Sequence, residues 1–194
     1  MHIISGKYKK MKLKTLDSKQ TRPTLTRIKE DIFNILNNYF IFENKTSLDL
    51  FAGSGSLSIE ALSWGVSYAI INDFNKQAVK IIAENLAKIN KTDYVLYQKD
   101  FKELLTLLKI TNQKVDLVFL DPPFAVDNYV SYYYEIINYL LENHILNPWA
   151  VIVCETGQQL DLDKLNQLEL LRFKDCKNKF LYFLRWQGVD NNES

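Results

Sequence analysis

The chain has 194 residues, 24 Lys and Arg against 23 Asp and Glu, and 47% hydrophobic residues, with six Gly and four Pro. That mixture describes a single globular domain, large enough to bury a core without a metal or disulfide, and it excludes a disordered or low-complexity chain. Apolar runs such as Val115 to Leu120 fall far short of the ~20 residues of a membrane span, and the start Met1 to Gly6 holds no secretory leader, so a cytoplasmic protein is expected.

Cys154 and Cys176 lack a CxxC or CxxxC spacing, and His2 and His144 are far apart, which argues against a metal site and against a catalytic histidine. The net charge of +1 conceals an asymmetry. Residues 1–30 carry nine cationic side chains (Lys7, Lys9, Lys10, Lys12, Lys14, Lys19, Arg22, Arg27 and Lys29) against Asp17 and Glu30, a balance of +7 that leaves −6 for the remainder. A basic arm on an acidic body suits a polyanion, because clustered cations release counterions condensed on phosphates; a solvated lysine-rich hairpin has the same composition.

In chain order, Tyr8, Met11, Leu13 and Leu16 among the lysines form a hairpin or edge-strand pattern. Thr24 or Thr26 offers an N-cap, and Ile28, Ile32, Phe33, Ile35, Leu36 and Tyr39 fall at helical spacing, predicting a helix over 25–39. From residue 46 strands and helices alternate: strands at 46–51, 67–72, 94–98, 115–120 and 149–155, with helices at 56–64, 75–90, 101–109 and 127–142 between them. Segments 168–175 and 179–186 close the chain as an antiparallel hairpin. Alternation of this kind implies a parallel sheet covered by helices on both faces. The expected organisation is one domain over 1–194: a basic hairpin and helix at 1–40, a core at 41–187 and a tail at 188–194.

The first strand runs into Asp49-Leu50-Phe51-Ala52-Gly53-Ser54-Gly55 and then directly into a helix. Glycines there allow a tight turn and close approach of a ligand. The dinucleotide fingerprint requires a third glycine three residues after Gly55, where this chain has Ser58, so a nicotinamide-dependent oxidoreductase is disfavoured. Asp73 ends the second strand, where a carboxylate can accept from both ribose hydroxyls of a nucleoside. Asp100 follows the third strand, placed to accept from an adenine amino group while Phe74 or Phe101 packs on the ring. Each carboxylate has a structural reading as well: Asp49 orients the glycine loop, and Asp73 and Asp100 cap helices.

The fourth strand ends in Asp121-Pro122-Pro123-Phe124. Two prolines stiffen the backbone and remove two amide donors, leaving a corner rich in acceptors. Asp121 and the Pro122 carbonyl can hold the two hydrogens of an exocyclic amino group and free its lone pair, while Phe124 stacks on the base. A methyl carbon of a sulfonium cofactor held at the glycine loop then lies in line for attack, with Asp121 available for the released proton.

Asp49 to Gly55, Asp73 and Asp121 to Phe124, preceded by Arg22-Pro23-Thr24 and Arg27-Ile28-Lys29-Glu30, resemble the RsmD family of 16S ribosomal RNA guanine-N2 methyltransferases, class I S-adenosylmethionine-dependent enzymes. The likeness runs from Ile3 to Trp186. It implies a Rossmann-like fold of class α/β, with a seven-stranded, mostly parallel sheet bearing an antiparallel C-terminal strand. It implies S-adenosyl-L-methionine as cofactor, with Asp49, Phe51, Ala52, Gly53, Gly55, Asp73, Phe74, Asp100 and Phe101 around it. Asp121, Pro122, Pro123 and Phe124 form the catalytic corner; Arg22, Pro23, Thr24 and Arg27 meet RNA, aided by the basic hairpin; no metal takes part. The implied partner is 16S rRNA in the small ribosomal subunit or its assembly intermediate, bound by a monomer. The chain departs from the family where Phe74 and Asn75 follow Asp73 and where the arm uses Lys almost throughout in place of Arg. The alternatives weighed are a DNA adenine-N6 amino-methyltransferase, for which the chain has no room for a target-recognition domain, and a non-catalytic RNA-binding ribosome assembly factor.

Overall fold

A computed structural model describes residues 1–16, 22–123 and 129–188, with the side chains of residues 22–25 outside the described part. Among these residues the helices are α1 (Arg22–Leu36), α2 (Ser56–Trp64), α3 (Lys76–Asn85), α4 (Phe101–Ile110) and α5 (Val130–Glu142). The strands are β1 (Thr46–Asp49), β2 (Tyr68–Asn72), β3 (Tyr94–Tyr97), β4 (Val115–Leu120), β5 (Leu146–Thr156), β6 (Glu169–Asp175) and β7 (Phe180–Trp186). They form one sheet in the order β3-β2-β1-β4-β5-β7-β6. The first five strands are mutually parallel and β7 runs antiparallel to both β5 and β6. The seven-stranded, mostly parallel sheet with antiparallel pairing at its C-terminal strands matches the sequence expectation.

The period of two along each strand decides which core a residue joins. Leu48, Ile70, Val118, Leu120, Ile152 and Leu184 pack under α4 and α5. Ala69, Ile71, Leu117, Phe119, Val151, Val153 and Phe183 face α1, α2, α3 and the N-terminal segment. Strand β4 is buried along its whole length, as a central parallel strand covered on both sides must be. The order reverses between β1 and β4, because β2 and β3 are laid on one side of β1 while β4 and β5 are laid on the other. At such a reversal the loops leaving the two strands diverge and open a crevice at their C-terminal ends.

Several local expectations shift. Helix α1 begins at Arg22, before Thr24 and Thr26, so neither threonine is its N-cap and Pro23 lies in the first turn, where a missing amide costs nothing. Helix α3 ends at Asn85 and gives way to a short 3-10 turn over Leu86–Lys88. The N-terminal hairpin forms only one antiparallel bridge, His2 to Lys12, and stays outside the sheet. Its turn is anchored where Lys7 N–H donates to Ser63 O at 2.8 Å, near the end of α2 and the start of β2. Lys7, Lys9 and Lys10 therefore sit at the N-terminal edge of the strands, opposite the crevice. The expected tail lies outside the described residues from 189 onward, and Asp127 and Asn128 of the expected fifth helix do as well. Among the described residues no helix is long and apolar enough to cross a membrane.

Candidate active site

Gly53 and Gly55 both adopt positive φ, 57° and 75°. Gly53 N–H donates to Asp73 Oδ2 at 2.8 Å, and Asp73 Oδ1 accepts from Asn75 N–H at 2.8 Å, so one carboxylate ties the glycine bend to the start of α3. A Cβ on Gly53 would meet nothing within 4 Å, whereas one on Gly55 would stand 3.2 Å from Ile82 Cγ2. The two glycines thus serve different needs: Gly53 leaves a space open, and Gly55 lets the N-terminus of α2 pack on α3. Ser58 donates to Asp49 Oδ2 at 2.9 Å beneath the loop, which accounts for a polar residue where the dinucleotide fingerprint has glycine. Asp49 is buried, and desolvation pushes its carboxyl up to about 7 despite the Ser58 hydrogen bond. It supports the loop from below and does not line the crevice.

The crevice is a cavity of about 510 Å³. Gly53, Asp73, Phe74, Asp100, Phe101 and Phe51 line one part of it, and Asp121 and Pro123 line the part under β4. The structure therefore brings the glycine bend, the tips of β2 and β3 and the proline corner around one space. Phe74 is 74% exposed and presents its ring at the rim, while Phe101 is buried at the first turn of α4. Asp100 caps α4 by accepting from Lys102 N–H at 2.9 Å, and Asn75 caps α3, so capping at the third tip falls to the carboxylate and at the second to its neighbour. Ala52, Gly55 and the buried Pro122 are not among the residues that line it. Phe124 lies outside the described residues.

Asp121 continues β4 past Leu120, which pairs with Cys154, and so stands beside Glu155 at the tip of β5. Glu155 is ion-paired with Lys179 at the entrance to β7. Desolvation first and the neighbouring Glu155 second push the Asp121 carboxyl well above the usual carboxylate range, with Lys179 opposing them. Burial pulls the Lys179 ammonium down, but Glu155 and Asp121 outweigh it and hold the group above its ordinary value. A carboxyl with raised proton affinity at an acceptor-rich corner suits contact with an amino group that sheds a proton.

Residues absent from the sequence expectations complete the site. Asn72 is buried, donating to Leu50 O at 3.0 Å and Lys99 O at 3.1 Å and accepting from Lys99 N–H at 3.1 Å, so it staples the tips of β1, β2 and β3 together. Asn85 donates to Ser54 O in the glycine loop and to Lys14 O, both at 2.9 Å, and accepts from Lys14 N–H at 2.8 Å; Leu16, two residues on, lines the cavity. Polar residues ending otherwise apolar strands were the available signal for Asn72 and Glu155; nothing local marks Asn85.

The expected RNA-contacting residues all belong to the N-terminal part of α1. The backbone of Arg22, Pro23 and Thr24 forms the first turn of α1. Arg27 is exposed on α1 and lines a separate cleft with the β6–β7 turn. Lys29, counted among the basic arm, is 2% exposed and pairs with Glu60 at 2.8 Å, out of reach of any polyanion. Among the described residues no group of three or more His, Cys, Asp and Glu is placed to hold a metal ion.

Comparison with known proteins agrees with this geometry. Residues 1–185 match the model of a family described as Conserved hypothetical protein 95. The chain is 34% identical to the ribosomal RNA small subunit methyltransferase D of Haemophilus influenzae, covering 90% of this chain and 88% of that protein. It is 31% identical to the protein of the same name from Buchnera aphidicola, covering 98% and 93%. Among solved structures, a putative methyltransferase from Escherichia coli superposes with a TM-score of 0.78 at 25% identity, covering 97% of this chain and 99% of that one. The chain belongs to this family and is a class I S-adenosylmethionine-dependent methyltransferase of the RsmD type.

Proposed function

We propose that the protein transfers a methyl group from S-adenosylmethionine to the exocyclic N2 of a guanine in 16S ribosomal RNA, presented by the small subunit or its assembly intermediate. One observation carries the reading: Gly53 of the glycine bend and Asp121 and Pro123 of the proline corner line the same cavity of about 510 Å³. The residues fit the cofactor. The open space beside Gly53 is one that any side chain would fill, and Asp73 and Asp100 place carboxylates along the same wall. In this reading Gly53, Phe51, Asp73, Phe74, Asp100 and Phe101 hold the cofactor, which when bound supplies an electrophilic methyl group on a sulfonium. Asp49, Ala52 and Gly55 support them through the loop.

The chain's own groups perform the remaining steps. Asp121 and the Pro122 carbonyl accept the two N2 hydrogens, which lowers delocalisation of the nitrogen lone pair into the ring and aims it across the cavity. Pro122 and Pro123 hold the corner in one conformation, so little orientation entropy is lost at the moment of attack. Asp121, its proton affinity raised by burial and by Glu155, takes the proton released when the N–C bond forms. The names of relatives that act on ribosomal RNA support the substrate class, as does the excess of cationic side chains in residues 1–30.

Incubation with radiolabelled S-adenosylmethionine and small subunits lacking the modification tests this. Label recovered at N2 of a single guanine is expected; label in duplex DNA and none in RNA would overturn it. Asp121→Ala is expected to lose at least a hundredfold in transfer while binding the cofactor within a few-fold of the parent.

A further inference from the structure

A second concave site lies on the same edge of the sheet as Asp121. It is a cleft of about 400 Å³ between α1 and the turn joining β6 to β7, lined by Arg27, Ile28, Asp31, Lys174, Cys176 and Lys177, among others. Because β7 is antiparallel to β5, with Thr156 opposite Phe180, this turn sits at the C-terminal ends of the parallel strands. Lys179, two residues beyond Lys177, pairs with Glu155 beside Asp121, so the cleft adjoins the proline corner on the face covered by α1 and α2.

The charges in the cleft are sorted. Asp31 is engaged by Lys174 at 2.7 Å, and Asp175 Oδ1 accepts from Lys177 N–H at 2.8 Å. Arg27 and Lys177 are exposed, and among the described residues neither forms an ion pair. Lys177 holds φ 72°, a left-handed conformation that glycine or asparagine takes more readily, in a turn closed by Cys176 N–H donating to Lys179 O at 2.8 Å. The turn and the helix thus bring an ammonium and a guanidinium to one concave surface. The lysines of the N-terminal turn, by contrast, project at the opposite edge of the sheet.

We propose that this cleft is a phosphodiester subsite, in which Arg27 and Lys177 grip the RNA backbone flanking the target guanine. The proposal rests on RNA methylation as the protein's reaction and names where the substrate strand is held. An anionic phosphate between the two cations releases condensed counterions and fixes the register of the strand, while base identity is read at Asp121. Lysine supplies a point charge, and the arginine fork supplies a bidentate grip on two phosphate oxygens.

The test compares the parent chain with Lys177→Gly, Arg27→Ala, their combination, and Lys88→Ala, an exposed lysine of the 3-10 turn after α3 at the opposite edge of the sheet. Lys177→Gly keeps the turn, since glycine is at ease at that φ. Equilibrium binding of unmodified small subunits is measured from low to moderate salt, and methyl transfer is measured separately on the same particles. Each cleft variant is expected to reduce the slope of log affinity against log salt by about 0.7 to 0.9, and the pair by about twice that. KM for the subunit rises while kcat and cofactor affinity stay at parental values, and Lys88→Ala follows the parent. Parental slopes for both cleft variants, or a reduced slope for Lys88→Ala alone, would overturn the subsite. Failure of the parent to methylate RNA, with the slope changes intact, would instead overturn the reaction and leave the cleft as an anion site.

Discussion

Substitution of Lys29 by methionine probes the linkage that holds α1 in place. Lys29 and Glu60 have side chains 2% and 0% exposed, joined at 2.8 Å. Lys29 also donates to His2 O at 2.7 Å, and Glu60 accepts from the amides of Ile4 and Ser5 at 3.0 and 3.1 Å and from Trp64 Nε1 at 3.1 Å. Four groups from the N-terminal segment and α2 converge on one carboxylate and one ammonium. Methionine fills a similar volume but strands the Glu60 charge, a loss of about 3–5 kcal/mol for a buried pair broken from one side. For a chain of this length that is a fall in Tm of roughly 10 °C. Adding Glu60→Gln removes the stranded charge and keeps an acceptor for Ile4 and Ser5, so the double variant should lie closer to the parent than the sum of the single losses. Urea denaturation at low and high salt is the assay. The loss should be insensitive to salt, because the pair is excluded from solvent. A loss below about 1 kcal/mol, or additive single effects, would refute the view that this pair carries the junction.

Four other outcomes follow from the site. Asp49 has its folded-state carboxyl raised to about 7 from an unfolded value near 3.8, so its contribution to stability is intact at low pH and declines as pH rises through that window; urea unfolding should show a loss of at most about 4 kcal/mol between pH 4 and 8 that Asp49→Asn removes. Gly53→Ala should cost only about 1 kcal/mol of stability yet weaken cofactor binding tenfold or more by calorimetry, since its Cβ enters open space at the cavity. Gly55→Ala should instead cost about 2–3 kcal/mol, through its φ and the contact with Ile82, seen as a lower urea midpoint. Asn72→Ala should cost about 2–4 kcal/mol by leaving the buried Leu50 and Lys99 backbone groups short of partners, and hydrogen exchange should rise first at the loops after β1 and β3.

The order of strands and helices from residue 46 onward was legible in the amino-acid sequence because each element is a periodic or continuously apolar run bounded by turn residues, and helix α2 and strand β4 begin and end where those runs do. The glycine bend, Asp73 and the Asp121 corner were legible for a related reason: each is a local departure from periodicity at a strand end, where chain direction and φ must change. Which tips share a cavity was decided only when the sheet reversed between β1 and β4, a choice made by packing of helices on two faces and invisible in any short window. The same holds for charge. Composition registered Lys29 and Arg27 as equals in a basic arm, but the helical turn between them buries one against Glu60 and leaves the other exposed beside the β6–β7 turn. Local sequence sets which backbone conformations are cheap; long-range burial sets which charges meet water, and those contacts join residues far apart along the chain.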